Sequence, residues 1–450
     1  MQTNIGVGFA VMLLPILATA AKAETFTLNQ ALSLAYESNP QLDAQRASLR
    51  ATDEEVAKAL AGWRPSVAAQ GSYGYEQGEY YAIPGPRAGT QPREGSVTIT
   101  QPLFRGDTIP NTRKAKALVE AGRAQLTYTE ESVLVTAATA YMDVVRYEQT
   151  VKLEQDEIQE LQHLRDTVAN RVMLGDLSRT DLAQTEGRLN GAMSDLAIAQ
   201  GQLATSRSTF EHVVGRPAES LDEQSVFPVV PESYETAFNL ALQNSPTLIY
   251  ARTQAIAADY AVDAAIGALL PTLSLQGQYQ RSVDLVAAGI KIDSLSITAQ
   301  LTIPLYQGGA EYAGVREAKQ QRSGANFNTA EAERQVREQV RTADEQMRSA
   351  QAAVRANQDQ IAADEIALQG SQQETIAGQR TTLDVLIAEQ DLVNARVLLV
   401  TSRRNAYVAA YQLLSATGGL TAKALDLPVK IYDPQQHYNQ DATRWIGLGD

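Results

Sequence analysis

Residues 294–305 read SLSITAQLTIPL, and in this stretch apolar side chains alternate with small uncharged polar ones. Residues 272–280, which read TLSLQGQYQ, alternate in the same way. A period of two places the apolar side chains on one face of a β-strand and the Ser, Thr and Gln side chains on the other. The two stretches therefore predict a β-hairpin over about residues 271–306, with one apolar face and one uncharged polar face.

The first half of the chain contains a second copy of this pattern. Segments 66–75 and 96–103 also alternate and predict a hairpin over about residues 65–104. Landmark residues recur at offsets of about 202–206 positions, far longer than the period of about 20–50 residues in solenoid repeats. The matched landmarks are Asn39-Pro40 with Ser245-Pro246, Pro65 with Pro271, Pro102 to Gly106 with Pro304 to Gly308, and Gly175, Asp181 and Glu186 with Gly378, Asp384 and Glu389. We predict a tandem duplication with repeats over residues 24–226 and 227–420, followed by a C-terminal tail over residues 421–450.

In each repeat the sequence also predicts two helices after the hairpin, and the first of these helices is very long. Residues 109–174 and 311–377 have a helical pattern, and neither segment contains a proline after Pro110. At 1.5 Å per residue such a helix is about 100 Å long, so it requires packing partners along its whole length. In the shorter helix that follows, large residues recur every seven positions from Leu182 to Phe210, with small residues three positions after them. This heptad pattern favours close knobs-into-holes packing and a mainly α-helical fold.

The composition excludes several classes of function. The chain has 52 acidic and 38 basic side chains, a formal net charge of −14, no cysteine and three histidines. Disulfides, thiolate metal sites and a His-rich metal cluster within one chain are therefore excluded, and the acidic balance argues against nucleic acid as a partner. The sequence contains no nucleophile elbow, P-loop or HExxH motif, and nearly all of its carboxylates have the spacing of solvated helix surfaces. We expect a protein that is not an enzyme and that has neither a cofactor nor a metal site.

Both ends of the chain differ from the repeats. Residues 5–20 form an apolar run, and Ala21-Lys22-Ala23 follows as a cleavage pattern of the A-x-A type. We therefore expect residues 1–23 to be a secretory signal peptide. The tail over residues 421–450 has no clear periodicity, and we expect it to lie in the periplasm and to be partly disordered.

The four strands fit either a soluble β-sandwich or the wall of an outer-membrane barrel. Each strand is about 10 residues long, the length that crosses an outer membrane, and its polar face is almost uncharged. Aromatic residues that flank the strands fit a membrane interface, and they include Tyr80, Tyr81, Phe104 and Tyr306. Four strands cannot close a barrel in lipid, which tolerates no unpaired strand edge. Two chains would supply about 8 strands and three chains about 12, and a conduit favours the trimer.

The turns between the long and the short helices contain the candidate gating residues. In each turn a glycine stands at a helix C-cap position, and a Ser or Thr stands three positions before an Asp, as in a capping box. These residues are Gly175, Ser178 and Asp181 in the first turn and Gly378, Thr381 and Asp384 in the second. In a trimer each aspartate would form a ring of three carboxylates, which attracts cations and repels anions. Arg380 has no counterpart in the first turn and fits either salt bridges between turns or a solvated surface position.

Together the signal peptide, the duplication, the hairpins and the turns resemble the TolC family of outer-membrane factors, and most closely its type I secretion members. The resemblance covers nearly all of residues 24–420, including the segments from Leu28 to Pro40 and from Tyr234 to Pro246. It implies a homotrimer in the outer membrane, in which a β-barrel of about 12 strands, four from each chain, continues into a periplasmic barrel of about 12 helices. It also implies docking to a periplasmic adaptor protein and to an inner-membrane ABC or RND transporter.

The same resemblance implies roles for the turn residues. Arg380 and Asp181 match positions of a lock that keeps the periplasmic end closed in this family, and Asp384 matches a position of the acidic entrance ring. Ile387 stands where some members have a second aspartate, and Thr375 stands where some have a lock tyrosine. We expect a passive gated exit duct for type I protein secretion, multidrug efflux or both. The alternatives are a metal-efflux outer-membrane factor and a trimeric coiled-coil tether without a pore.

Overall fold

The computed structural model describes residues 25–77, 89–223, 226–285 and 289–447. The predicted signal peptide and the predicted interface residues Tyr80 and Tyr81 lie outside these ranges. One order of helices and strands occurs twice along the chain. The first series is α1 (Leu28–Ser38), α2 (Pro40–Leu60), β1 (Ser66–Tyr73), β2 (Arg93–Phe104), α3 (Thr108–Met173) and α4 (Arg179–Val214). The second series is α5 (Tyr234–Asn244), α6 (Pro246–Gly267), β3 (Thr272–Val283), β4 (Lys291–Thr302), α7 (Ala310–Ile376) and α8 (Thr382–Ala416), and α9 (Pro434–Asp441) follows in the tail.

A proline begins the second helix of each series. Pro40 and Pro246 occupy the first helical turn, where the missing N–H removes no intrahelical hydrogen bond. The Asn39 side chain caps α2 by accepting a hydrogen bond of 2.9 Å from the Gln41 N–H. Proline also follows the end of each of these helices, and it therefore separates the helix from the strand. The prolines in the sequence thus define where α2 and α6 begin and where each of them ends before its strand.

The four strands form one antiparallel sheet in the order β1-β2-β3-β4, so the two hairpins join through β2 and β3. The pairing register aligns the apolar positions of neighbouring strands. Val97 pairs with Ala69 on one side and with Tyr279 on the other, and Tyr279 pairs with Leu295. The polar positions align in the same way, since Gln280 pairs with both Ser96 and Ser294. Alternation in each strand therefore becomes one apolar face and one polar face across the whole sheet.

The apolar face of the sheet is uncovered in a single chain. Leu295 is 76% exposed and Ile297 is 74% exposed, and every residue of β4 is exposed. Within the described residues β1 and β4 pair with another strand on one side only. The sheet therefore presents a large apolar surface and two open edges.

The long helices have the predicted length, and they pack against several neighbours. The helix α3 has 66 residues and α7 has 67, so each spans about 100 Å. The helix α3 contacts α2, α4, α6 and α8, and α7 contacts α6 and α8. In α4 the buried heptad positions are mostly the small ones, namely Thr185, Ala192, Ala199 and Ser206. A bidentate ion pair joins α8 to α3, with Arg404 Nε and Nη2 at 2.9 and 3.0 Å from the Asp143 carboxylate.

The prediction that nearly all carboxylates are solvated is wrong for a group of buried acids. Asp53 is 1% exposed and Glu131 is 2% exposed, and Asp344, Glu154 and Glu157 are also buried. The physical reason is that α2, α3 and α7 have neighbours on more than one side. A position opposite the main apolar stripe is therefore still covered by another helix.

Over residues 421–447 the tail departs from the expectation of partial disorder, because it packs on the first helices. The Tyr432 N–H donates to the Tyr36 hydroxyl at 3.0 Å, and Leu427 is buried. The Arg46 guanidinium lies over the rings of Tyr36 and Tyr432. These contacts join residues almost 400 positions apart, so they require no local periodicity in the tail.

None of the helices in the described ranges is both long enough and apolar enough to span a membrane.

Candidate functional site

Two helix turns lie a full long-helix length away from the sheet. We call them the tip turns, residues 174–178 between α3 and α4 and residues 377–381 between α7 and α8. Gly175 and Gly378 have φ angles of +86° and +76°, a left-handed conformation that glycine adopts without strain. The residue after each glycine donates its N–H to a carbonyl of the preceding helix, as Asp176 does to Arg171 at 2.9 Å. The tip turns are therefore tight helix ends in which glycine reverses the chain.

Each tip turn leads into a capping box. The Asp181 N–H donates to Ser178 Oγ at 3.2 Å, and the Asp181 carboxylate accepts the Ser178 N–H at 2.9 Å. Thr381 and Asp384 make the same reciprocal pair at 3.4 and 2.8 Å. Both aspartates therefore lie in the first turn of a helix, where the helix dipole favours a negative charge.

The same hydrogen bonds keep both aspartates ionised. Hydrogen bonds from the Ser178 hydroxyl and N–H hold the pKa of Asp181 below its usual range. Hydrogen bonds from the Thr381 N–H and hydroxyl, with a smaller contribution from the Arg380 charge, lower the pKa of Asp384. The same two carboxylates therefore cap the helices α4 and α8 and supply the negative charge of the tip turns, and they do both at neutral pH.

Arg380 contacts residues at the end of α7 in its own chain. Its Nε lies 2.5 Å from Glu374 Oε2, and its Nη1 donates to Ser371 Oγ at 3.3 Å. Thr375 donates its hydroxyl to the Ser371 carbonyl at 2.7 Å. Among the described residues of one chain, Arg380 thus pairs with Glu374 and not with Asp181.

A shallow depression of 210 Å³ adjoins Arg380 and contains carboxylates that the sequence reasoning missed. Besides Asp384 and Ile387 it is lined by Asp364 of α7 and Asp391 of α8. Asp384, Ile387 and Asp391 share one helix face, since they are spaced by three and four positions. Extending the capping-box aspartate by one heptad would have identified Asp391, whereas Asp364 comes from the neighbouring helix and has no such signal.

The pattern of outer membrane efflux proteins matches this chain over residues 31–216 and 237–419, that is, over both series of elements. The chain belongs to the outer membrane efflux protein family. The efflux protein BepC of Brucella suis is 35% identical over 445 residues, which cover 98% of this chain and 96% of BepC. The alkaline protease secretion protein AprF of Pseudomonas aeruginosa is 24% identical over 337 residues, 73% of this chain and 70% of AprF.

Solved structures show the same fold at lower identity. The outer membrane protein VceC of Vibrio cholerae superimposes with a TM-score of 0.76 at 19% identity, over 87% of this chain and 96% of VceC. The predicted family and the mainly α-helical fold with a four-stranded sheet are thereby confirmed. This member of the family is an export channel of the outer membrane, and its helical part extends into the periplasm. The family is one of efflux proteins, in line with the expectation that the chain is not an enzyme.

Proposed function

We propose that three copies of this chain form a passive, gated exit duct, and the observation that carries the proposal is the uncovered sheet. Its two open edges would leave backbone N–H and C=O groups unpaired in lipid, at a cost of several kcal/mol for each group. Pairing β1 of one copy with β4 of the next removes both edges. Two copies would give about 8 strands, which leave an interior filled by side chains, whereas three copies give about 12 and leave a channel.

In such a barrel the apolar face of the sheet meets lipid and the Ser, Thr and Gln face lines the channel. Phe104 ends β2 and Tyr306 follows β4, and both side chains are exposed close to the start of a long helix. They would lie at the periplasmic membrane interface, where aromatic residues are favoured. The long helices of three copies would continue the wall as a tunnel of about 12 helices, with the tip turns at its far end.

The duct would receive its substrate and its energy from partners. We propose a periplasmic adaptor protein and an inner-membrane ABC or RND transporter, because the chain itself offers no nucleotide-binding motif. The names of BepC and AprF refer to efflux and to protease secretion, and they support multidrug efflux, type I protein secretion or both as the cargo route. A metal-efflux role and a tether without a pore are not favoured by these relatives.

The proposal is tested by the assembly state and the conductance of the purified protein. We expect a detergent-dependent trimer by native mass spectrometry, with gel mobility that changes on heating, and discrete conductance steps in planar bilayers. A water-soluble protein that passes no current would support the tether and contradict the duct.

The acidic ring at the tip yields a prediction in which charge and capping can be separated. Asp384→Asn removes the charge, but its side-chain oxygen still accepts a hydrogen bond from the Thr381 N–H. Thr381→Ala removes the capping hydroxyl and keeps the carboxylate. In planar bilayers we expect Asp384→Asn to weaken block by divalent cations by about tenfold, because the ring loses three charges, and Thr381→Ala to leave the block nearly unchanged. Equal block by divalent cations in the wild type and in Asp384→Asn would contradict the proposed ring of carboxylates at the tip.

The proposed lock between copies makes a second prediction at the tip. Arg380→Ser should raise the resting conductance several-fold, because salt bridges between neighbouring tip turns, with Asp181 as partner, would be lost. Glu374→Gln is the matched control, since it removes only the partner that Arg380 has in its own chain. If Arg380 binds only the end of α7 in its own chain, the two variants should have the same conductance, and the lock would be rejected.

A further inference from the structure

The C-terminal helix brings a histidine and two carboxylates together against α2. One ligand-type atom from each of Glu54, His437 and Asp441 lies within 4.8 Å of the others. His437 Nε2 is 3.3 Å from Asp441 Oδ2 and 3.9 Å from Glu54 Oε1. His437 and Asp441 are four positions apart, so they occupy one face of α9. The cluster thus combines one face of the tail helix with one carboxylate of α2.

The other nitrogen of the same ring is held by a buried carboxylate. His437 Nδ1 lies 3.3 Å from Asp53 Oδ2, and Asp53 is only 1% exposed. When a metal binds one ring nitrogen of a histidine, a carboxylate at the other nitrogen holds the ring proton there and orients the ring, as in most metal-binding histidines. The nitrogen left for a metal here is Nε2, the atom that faces Glu54 and Asp441.

Negative charge in the cluster exceeds the positive charge that faces it. Asp53 Oδ1 is buried and has no hydrogen-bond partner among the described residues. Arg444 Nη1 lies 2.9 Å from Asp441 Oδ1, and Arg123, which faces Asp53, is engaged with Glu120 at 2.6 Å. A cation bound between the three ligands would compensate this excess.

The distances fit a small divalent cation with nitrogen and oxygen ligands. Zinc binds His nitrogen and carboxylate oxygen at about 2.0–2.2 Å in a tetrahedron, so its ligand atoms lie about 3.3 Å apart. The His437 to Asp441 distance already has this value. Glu54 is half exposed, and a shift of its side chain by about half an ångström would bring its oxygen to this distance from His437 Nε2. Water would supply the fourth ligand.

We propose that Glu54, His437 and Asp441 form a binding site for Zn²⁺ or a similar divalent cation, which fastens the C-terminal helix to α2. Asp53 is a positioning residue that orients His437. The tail beyond the site reaches the start of the sheet, since Arg64 Nη1 donates to the Arg444 carbonyl at 2.6 Å. The bound ion would therefore stiffen the junction between the helices and β1.

The test is a calorimetric titration of the metal-free, detergent-purified protein with Zn²⁺ alone. We expect one ion per chain to bind at this site, with at least tenfold weaker binding in His437→Gln. We also expect 10- to 100-fold weaker binding in Asp53→Asn, which touches no metal. His163→Gln is the matched control, because His163 lies on an exposed face of α3, and it should bind as wild type does.

A second measurement does not depend on the folding of a variant. In the wild-type protein Zn²⁺ should slow tryptic cleavage after Lys430 and Arg444, whereas Mg²⁺ at the same concentration should not, because it prefers an octahedral set of oxygen ligands. Unchanged Zn²⁺ stoichiometry and affinity in His437→Gln would show an adventitious ion only. That result, or cleavage insensitive to Zn²⁺, would overturn the site and leave the export function untouched.

Discussion

Ile297→Arg is expected to abolish assembly of the protein in the outer membrane. Ile297 lies in the middle of β4, on the apolar face, and it pairs with Gly277. An arginine at the bilayer midplane costs about 2–4 kcal/mol in a membrane barrel, so a trimer would lose about 6–12 kcal/mol. We expect less than about a tenth of the wild-type amount of heat-modifiable trimer in outer-membrane fractions.

The preceding residue is the matched control for this substitution. Ser296 lies on the polar face of the same strand and pairs with Gln278, so Ser296→Arg should point into the channel and assemble nearly as wild type does. The control would also reduce the conductance for cations, because it adds a positive charge to the channel lining. If Ile297→Arg assembled better than Ser296→Arg, the lipid would contact the Ser, Thr and Gln face of the sheet, and the proposed orientation of the barrel wall would be wrong.

Glu131→Gln is expected to stabilise the protein at neutral and alkaline pH. Glu131 lies on α3, and its Oε1 is buried without a hydrogen-bond partner among the described residues. Burial raises the pKa of Glu131 to about 9, although a hydrogen bond from the Leu420 N–H opposes the rise. The folded chain therefore keeps a proton that the unfolded chain, whose pKa is about 4.5, releases as the pH rises.

The sign of the pH dependence follows from this difference. Below pH 4.5 Glu131 is protonated in both the folded and the unfolded chain, so the free energy of unfolding of the wild type does not depend on this group. Between pH 4.5 and about 9 the wild-type free energy of unfolding falls by up to about 1.4 kcal/mol per pH unit and per chain. Glutamine has nearly the same shape and does not titrate, so the gain in melting temperature of Glu131→Gln should grow from pH 5 to pH 8.

Melting curves followed by circular dichroism at several pH values would measure this gain. Glu333→Gln, which changes a half-exposed carboxylate of α7 paired with Arg337, is the control, and it should shift the melting temperature by no more than about 1 °C at any pH. A gain for Glu131→Gln that does not vary between pH 5 and pH 8 would contradict the account of a protonated buried carboxyl.

Periodic features of this chain were predictable from its sequence. Alternation in residues 272–280 and 294–305 predicted both strands of the second hairpin. In the structure the first strand is longer, Thr272–Val283, and the second, Lys291–Thr302, begins and ends three residues earlier than predicted. The spacing of glycine and capping residues likewise predicted the ends of the long helices and the starts of the shorter ones. Such features depend on neighbours within about one heptad, and a sequence displays those directly.

Contacts between distant segments were not predictable in this way. His437 meets Asp53 across 384 positions, and Asp364 joins Asp384 at the tip because α7 packs on α8. The burial of Glu131 depends on residues 420–422 returning to α3. In each case the local pattern is that of a solvated helix, and only the packing of another element changes the environment of the side chain.

The most direct test of the account is disulfide cross-linking between β1 and β4. The chain has no cysteine, so Ala68→Cys combined in turn with Ser294→Cys, Ser296→Cys or Thr298→Cys introduces a single possible pair. Within one chain β2 and β3 separate these positions by about 14 Å, too far for a disulfide, so any bond must join two copies. The account predicts that at least one pair links two and three chains on a non-reducing gel. A water-soluble monomer that never forms these links would contradict it.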